Sequence, residues 1–306
     1  MNNLSGNVAV ELSLDGAEIH RVKVKCVRPN VGRSLVGMTA AQAQKTIAIL
    51  YALCPVAQQQ ASESALGLKL GLSSDAARME WVKEHSWQSW LMLDDICMGD
   101  DALTATVEVR KGDKQAANLL YGLAPEQWLS FGSKRELQHW MAGARAPYAK
   151  LLNALYHSSA RGFGTRVKAN GPLRRCQAHD YVGYFDAECG ELFMRTLARL
   201  IELAQLLSGG YLPPKAKVLA SGHVEIEASR GRLVHQVAFE NGNNLGAISA
   251  YQIEAPTDRH CDESGTLAQS LQGSVLPNQD PMYAHLLIKT FDPCVSYSLT
   301  MESCHA

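Results

Sequence analysis

The chain opens on alternation of apolar and polar positions. Val8, Val10, Leu12 and Leu14 recur every second residue, Asp15-Gly16 follows, and Ala17 to Val27 alternates again. A period of two on both sides of an Asp-Gly turn predicts a β-hairpin with one buried face. Pro29 to Gly37 carries no period and reads as a loop. From Ala40 to about Leu53 the spacing is helical, with Thr39 as N-cap and Ile47, Leu50 and Tyr51 on the apolar side. Pro55 disfavours helix at Cys54 and suits the first turn of a new helix, so Cys54 is placed at a helix junction.

The middle of the chain reads as helical. A long helical pattern covers Ser73 to about Met98, with Trp81, His85, Trp87 and Trp90 as packing residues. Leu103 to Val109 looks like a short strand. Helices are expected over Lys114 to Leu123, Ser133 to Gly143 and Ala146 to Tyr156. Ser158 to Gly183 is the least regular stretch, and Arg174-Arg175-Cys176 and His179-Asp180 read as parts of a solvated loop. Glu191 to Leu207 is strongly periodic and closes on Gly209-Gly210.

Strands return towards the end, over Val224 to Ala228, Leu233 to Glu240 and Leu245 to Ile253. Asn241-Gly242-Asn243-Asn244 makes a hairpin, and Ser229-Arg230-Gly231 breaks the first pair. Helices over Thr266 to Leu271 and Met282 to Leu287 lead into Asp292-Pro293-Cys294. The pattern predicts an α+β fold, a helical core with β segments from both ends, in a single domain over residues 1–306.

Composition narrows the function classes. A net charge of -1 gives no electrostatic case for nucleic acid or an anionic membrane surface. No apolar run reaches the length of a membrane-spanning helix, so no membrane insertion is expected. The start, MNNLSGNVAVELSLDG, lacks the basic and apolar regions of an export signal. The expected compartment is the cytoplasm, with reduced thiols. Eight cysteines are spread singly and none forms a C-x-x-C pair, which argues against a zinc ribbon or redox dithiol.

Two of those thiols stand out because each adjoins a proline: Cys54 before Pro55 and Cys294 after Pro293. Pro293 biases Asp292 towards an extended backbone and presents Cys294 where the chain leaves an element. Asp292 is near enough in sequence to support whatever the sulfur binds. Each thiol has two readings, a space-filling core residue or a presented ligand. Arg230, at a strand break, is either a surface residue or a planar fork projected into a cavity.

The order of several short blocks resembles the large subunit of the nickel–iron hydrogenases. Glu227-Ala228-Ser229-Arg230-Gly231-Arg232-Leu233-Val234-His235 is similar to that family's E-A-P-R-G-x-L-x-H. Tyr251 to Thr257 resembles its Y-Q-x-x-x-P-T, and Leu287 to Cys294 the run into D-P-C-x-x-C-x-x-H. Ser5-Gly6-Asn7-Val8 resembles the opening E-G-H segment, and Leu53 to Gln58 the second half of C-G-x-C-x-x-x-H. The departures fall on the nickel ligands. Tyr51 and Tyr297 stand where two cysteines would, Gln58 and Thr300 where two histidines would, and Ser5 where the proton-passing glutamate would. Nickel beside iron needs four soft thiolates, and a phenol is harder and about 1.5 units more basic than a thiol.

What remains resembles the hydrogenase assembly proteins of the HupK/HoxV type, and the resemblance implies a non-catalytic scaffold. Its implied cargo is iron bearing cyanide and carbon monoxide, held transiently and without nickel. Cys54 and Cys294 would hold the iron from two sides. Arg230 matches the arginine over the metal pair, Ser229 takes the place of the proline beside the diatomic ligands, and Asp292 matches the carboxylate next to that arginine. By family position Cys54 is a bridging ligand and Cys294 a terminal nickel ligand. Cys294 would therefore swing towards iron, or Cys261, or Cys304 with His305 on a flexible end, would help. The implied partners are a small cofactor chaperone, the iron-assembly protein it serves, and a hydrogenase large subunit as acceptor. Two rivals stand beside this: a metal-free docking protein for maturation chaperones, and a reduced metal-dependent oxidoreductase.

Overall fold

The alternation at the start becomes β1 (Asn7–Asp15) and β2 (Glu18–Val27), joined at Gly16 with φ +57°. Val8, Val10, Leu12 and Leu14 all point inward from β1, as the period requires. The computed structural model describes residues 6–69, 71, 73–97, 100–143, 145–219 and 223–303. Cys304, His305 and Ser5 lie outside them.

Five helices position the site: α1 (Ala40–Leu50), α2 (Pro55–Ala65), α3 (Ser74–Cys97), α4 (Glu191–Ser208) and α5 (Pro281–Phe291). Thr39 and Gln42 close a capping box on α1. Helix α4 is buried on almost every face and packs against α3 and α5. It carries Glu191, Arg195, Arg199 and Glu202 inside the core. Such charges persist only when paired, and Arg195 Nε donates to Glu191 at 2.7 Å.

A second sheet runs antiparallel in the order β3 (Lys217–Val218), β4 (Val224–Ala228), β5 (Gly231–Phe239), β6 (Ile248–Glu254). Ala57 and Ala61 of α2 pack on Ile226, Ala228 and Leu233 of this sheet. Small residues on the helix permit that close approach and bring its first turn beside the β4–β5 turn.

The sequence did not predict β7 (Ser296–Ser303), which pairs in parallel with β1 from Asn7 opposite Ser296 to Leu14 opposite Ser303. The α+β expectation holds, with β segments from both ends of the chain. Four local expectations fail. Pro29 to Gly37 is not all loop, because Val31–Ser34 forms one helical turn capped by Asn30. Leu103 to Val109 is part of a helix, Asp100–Lys111. Its buried positions Ala102, Ala105, Thr106 and Val109 follow helical spacing, and only the exposed Leu103 and Val107 mimicked a strand. The stretch from 158 to 183 holds two short helices, Gly171–Arg175 and Asp180–Phe185. Arg175 and Cys176 are buried there rather than solvated. Asp292 is not extended but left-handed, with φ +53° and ψ +60°. A following proline removes the helical choice, and aspartate tolerates the left-handed one. The backbone N–H of Asp292 caps α5 through the Lys289 carbonyl at 3.1 Å.

Candidate functional site

Cys54 sits at the N-cap of α2, ahead of Pro55. The orphan backbone N–H groups of that turn are taken up from elsewhere. The Glu80 carboxylate accepts from Val56 N–H at 2.6 Å and from Ala57 N–H at 3.2 Å. The thiol is thereby spared capping duty. Gln58, one turn on, aims its amide at Cys54 Sγ at 3.9 Å. Its carbonyl faces His235 Nε2 at 2.8 Å, and His235 Nδ1 meets the Tyr251 hydroxyl at 2.9 Å.

Cys294 follows the left-handed Asp292 and Pro293. Thr257, just inside the short helix Pro256–His260, holds it at two points. The Thr257 hydroxyl accepts from Cys294 N–H at 3.1 Å and donates to Cys294 Sγ at 3.2 Å.

Ser229 and Arg230 form the tight turn between β4 and β5. Arg175 anchors that turn from below by donating to the Ser229 carbonyl at 2.7 Å. The Arg230 guanidinium is buried. Its Nε lies 3.0 Å from the Asp292 carbonyl oxygen and 3.1 Å from the Asp292 carboxylate, and its Nη2 pairs with Glu84. Gln88 donates to the other Asp292 oxygen at 2.5 Å. Glu80, Glu84 and Gln88 fall at i, i+4 and i+8, one face of α3. Two polar atoms of the turn, Ser229 Oγ and Arg230 Nη1, are buried without a hydrogen-bond partner among the described residues. Buried donors are ordinarily satisfied, so such atoms call for a ligand or water.

These elements enclose a cavity of about 530 Å³ lined by Cys54, Cys294, Tyr51, Gln58, Arg28 and Arg230 among mostly apolar neighbours. Both cysteines are free thiols. Burial pushes the Cys54 thiol up to about 12 against the pull of the Arg230 charge. Burial likewise pushes Glu80 up to about 7, against its two backbone hydrogen bonds. The site thus rests with Cys54 protonated at neutral pH, and a metal binding there must displace that proton.

Of the residues expected from sequence, Cys54, Arg230 and Cys294 line the cavity, and Asp292 and Ser229 adjoin it behind Arg230. Tyr51 lines it as well. Tyr297 does not: its hydroxyl meets His285 Nδ1 at 3.2 Å. Thr300 is exposed on β7. Cys261 is buried outside the lining. His85 is a core residue, its Nε2 2.8 Å from Glu202. Among the described residues, no three His, Cys, Asp or Glu side chains gather as a ready metal-ligand set. Sequence reasoning passed over Glu80, Glu84, Gln88, Arg28 and Asp258. The acid–acid–amide spacing on one face of α3 was a signal available to it.

Two buried imidazoles give a testable acid response. Burial holds His235 and His260 down to about 3. The folded chain then binds fewer protons than the unfolded one between about pH 3 and 6.5, so stability falls as pH falls through that window. Glu80, raised, works in the opposite direction between pH 7 and its ordinary value. Burial also lowers His85 and raises Glu84, and with the imidazoles in the majority the net change by pH 5 is a loss of stability. Urea unfolding at pH 7 and pH 5 measures it, and an unchanged or higher midpoint at pH 5 would contradict the burial of both imidazoles.

No protein-family model matches the chain. It is 27% identical to the hydrogenase expression/formation protein HupK of Rhodobacter capsulatus, over 94% of this chain and 96% of that protein. It is 26% identical to HupK of Azotobacter vinelandii, over 97% and 98%. HupV of Azotobacter chroococcum mcd 1, also a hydrogenase expression/formation protein, is 25% identical over 97% and 98%. Among solved structures, the reduced nickel–iron–selenium hydrogenase of Desulfovibrio vulgaris Hildenborough superposes with TM-score 0.58 at 15% identity, covering 92% of this chain and 94% of that one. The reduced, active enzyme of Desulfomicrobium baculatum gives 0.55 at 12%, covering 92% and 95%. At such identity the structures speak for the fold alone. The chain is thus similar over nearly its whole length to the HupK/HupV hydrogenase expression/formation proteins, and it shares the fold of the nickel–iron hydrogenase large subunit.

Proposed function

We propose that the chain serves hydrogenase formation as a non-catalytic scaffold, carrying the iron–cyanide–carbonyl unit destined for a large subunit. The relatives' shared name, hydrogenase expression/formation protein, supports the broader role. The observation that carries the finer reading is the cavity itself. Two free thiols share one small chamber with a buried arginine whose Nη1 has no partner among the described residues.

The donor set fits such a cargo. Cys54 and Cys294 would supply soft thiolates to the iron. Arg230 Nη1 would donate to the nitrogen end of a cyanide, satisfying a buried polar atom, with Ser229 beside it in the turn that holds the arginine. Two sulfurs would suffice because cyanide and carbon monoxide fill the remaining positions. Nickel is disfavoured where Tyr51, a hard and weakly acidic phenol, takes a thiolate's place. A thiol protonated at rest is suited to release: uptake of iron expels a proton, and return of a proton loosens the metal.

On this reading the chain takes the unit from an iron-assembly protein with its small chaperone, hands it to the large subunit, and works in the cytoplasm, where thiols stay reduced. Among the described residues no helix is long and apolar enough to cross a membrane.

The test is complementation. In a strain lacking this protein, the wild-type gene restores a loaded large subunit and the Cys54→Ser, Cys294→Ser double variant does not. A metal-free docking protein gives the opposite result, with the thiol-free chain restoring assembly fully.

A further inference from the structure

The charges that face the cavity are of one sign. Arg28 and Arg230 are the charged residues of its lining, and no carboxylate lines it among the described residues. The acids lie behind. Asp292 and Glu84 pair with Arg230 from the α3 side, and Asp258 holds Arg28. A chamber meant for a bare hard cation such as calcium or magnesium presents carboxylate or carbonyl oxygens to it. This one presents two guanidinium groups among mostly apolar side chains.

Arg28 is placed rather than loose. Its Nη1 donates to both Asp258 oxygens, at 2.7 and 2.8 Å. Asp258 is itself fixed, because it accepts from Ala255 N–H at 2.8 Å at the start of its own helix. Among the described residues Nε and Nη2 of Arg28 have no protein partner, so the fork keeps donors for an occupant. The side chain is only 16% exposed. A guanidinium in such a place is weakly hydrated and costs little to desolvate further against an anion.

We infer that Arg28, clamped by Asp258, is the residue that makes this cavity select an anion: it admits iron as a preformed anionic cyanide complex and discriminates against the bare cation. This inference rests on the cargo reading above, but its central claim is about the chamber and is tested without cargo. Arg230 alone would be a weak selector, because Glu84 and Asp292 together offset its charge. Arg28 shares a single carboxylate.

The probe is thiocyanate, a small soft anion with a nitrile stretch that reports its surroundings. Purified full-length chain is titrated with sodium thiocyanate at constant ionic strength, with binding read by the infrared band and by calorimetry. The expected result is one saturable site. Arg28→Ala weakens it about tenfold or more, the loss of one hydrogen-bonded charge. Arg28→Lys keeps part of the affinity. The paired variant Arg28→Gln with Asp258→Asn, which leaves no stranded buried carboxylate, remains as weak as Arg28→Ala. The exposed Arg135→Ala serves as the control for general anion binding and leaves the site unchanged. Equal affinity in wild type and Arg28→Ala, or no saturable site in the wild type, overturns the inference. The two readings separate cleanly. Cyanide and carbonyl bands in Arg28→Ala as strong as in wild type would sink the role of Arg28 and leave the carrier standing. Arg28-dependent thiocyanate binding in a chain that never acquires iron would do the reverse.

Discussion

On the carrier reading, replacing Cys54 with serine is expected to empty the site of iron and leave the chain folded. The sulfur has no part in capping α2, since Glu80 supplies those hydrogen bonds. Its contacts are one long amide approach from Gln58 and the cavity wall. Exchange for an isosteric hydroxyl therefore shifts stability by about 1 kcal/mol or less. The effect on metal is far larger. Losing a group that merely supports a ligand costs roughly 10- to 100-fold in affinity, and losing one of two protein ligands costs more. Iron per chain in protein purified without oxygen from maturation-competent cells falls at least about tenfold. Thermal unfolding run beside it shows an unchanged midpoint. Full iron content in Cys54→Ser would remove Cys54 from the site and leave the thiol as packing.

The largest stability effect is expected at Arg175, which lies outside the cavity lining and braces the Ser229–Arg230 turn. Arg175 makes a two-pronged contact with Glu202, at 2.6 and 2.7 Å, and a third at 3.0 Å to Glu227. It stacks over Trp81, 4.3 Å from the ring centroid, and anchors the Ser229 carbonyl. Glu202 is fully buried on α4, and its carboxyl is held at about 2 against the cost of burial by Arg175 first and by His85 after it. Arg175→Ala strands that charge. Breaking a buried pair from one side costs about 3–5 kcal/mol, on the order of 10 °C in midpoint for a chain of this length. The Ser229–Arg230 turn loses its anchor at the same time, so the variant also carries less iron. A drop under about 1 kcal/mol would mean that Glu202 finds water or takes a proton at little cost.

Much of this was legible in the chain, for physical reasons that differ from element to element. The opening hairpin announced itself because one face is buried and the other wet, which writes a period of two. The thiols were legible because a proline fixes the backbone beside each of them. Arg230 was legible as a choice between surface and cavity, and the buried pairs with Glu84 and Asp292 decide it.

The misses have equally definite causes. β7 does alternate, with Tyr297, Leu299 and Met301 half-buried between exposed polar residues, but the stripe is short and only half-buried at a sheet edge, and its partner β1 is nearly three hundred residues away. Arg175 looked solvated because a sequence does not show that two acids wait for it on α4 and β4. Glu80, Glu84 and Gln88 were hidden among the aromatic residues of α3, which drew attention as the obvious core face. Arg28 stood at the start of a loop with no pattern around it. Its meaning depends on Asp258, which is distant in sequence and brought close by the return of the chain beside β6.

The most direct test of the carrier reading is an infrared spectrum of the full-length protein, isolated without oxygen from cells making the maturation machinery, with metal analysis on the same sample. The account predicts cyanide and carbonyl stretches, iron near one per chain, and no nickel. A spectrum without those bands, from protein free of iron, would contradict it and return Cys54 and Cys294 to the core as packing residues.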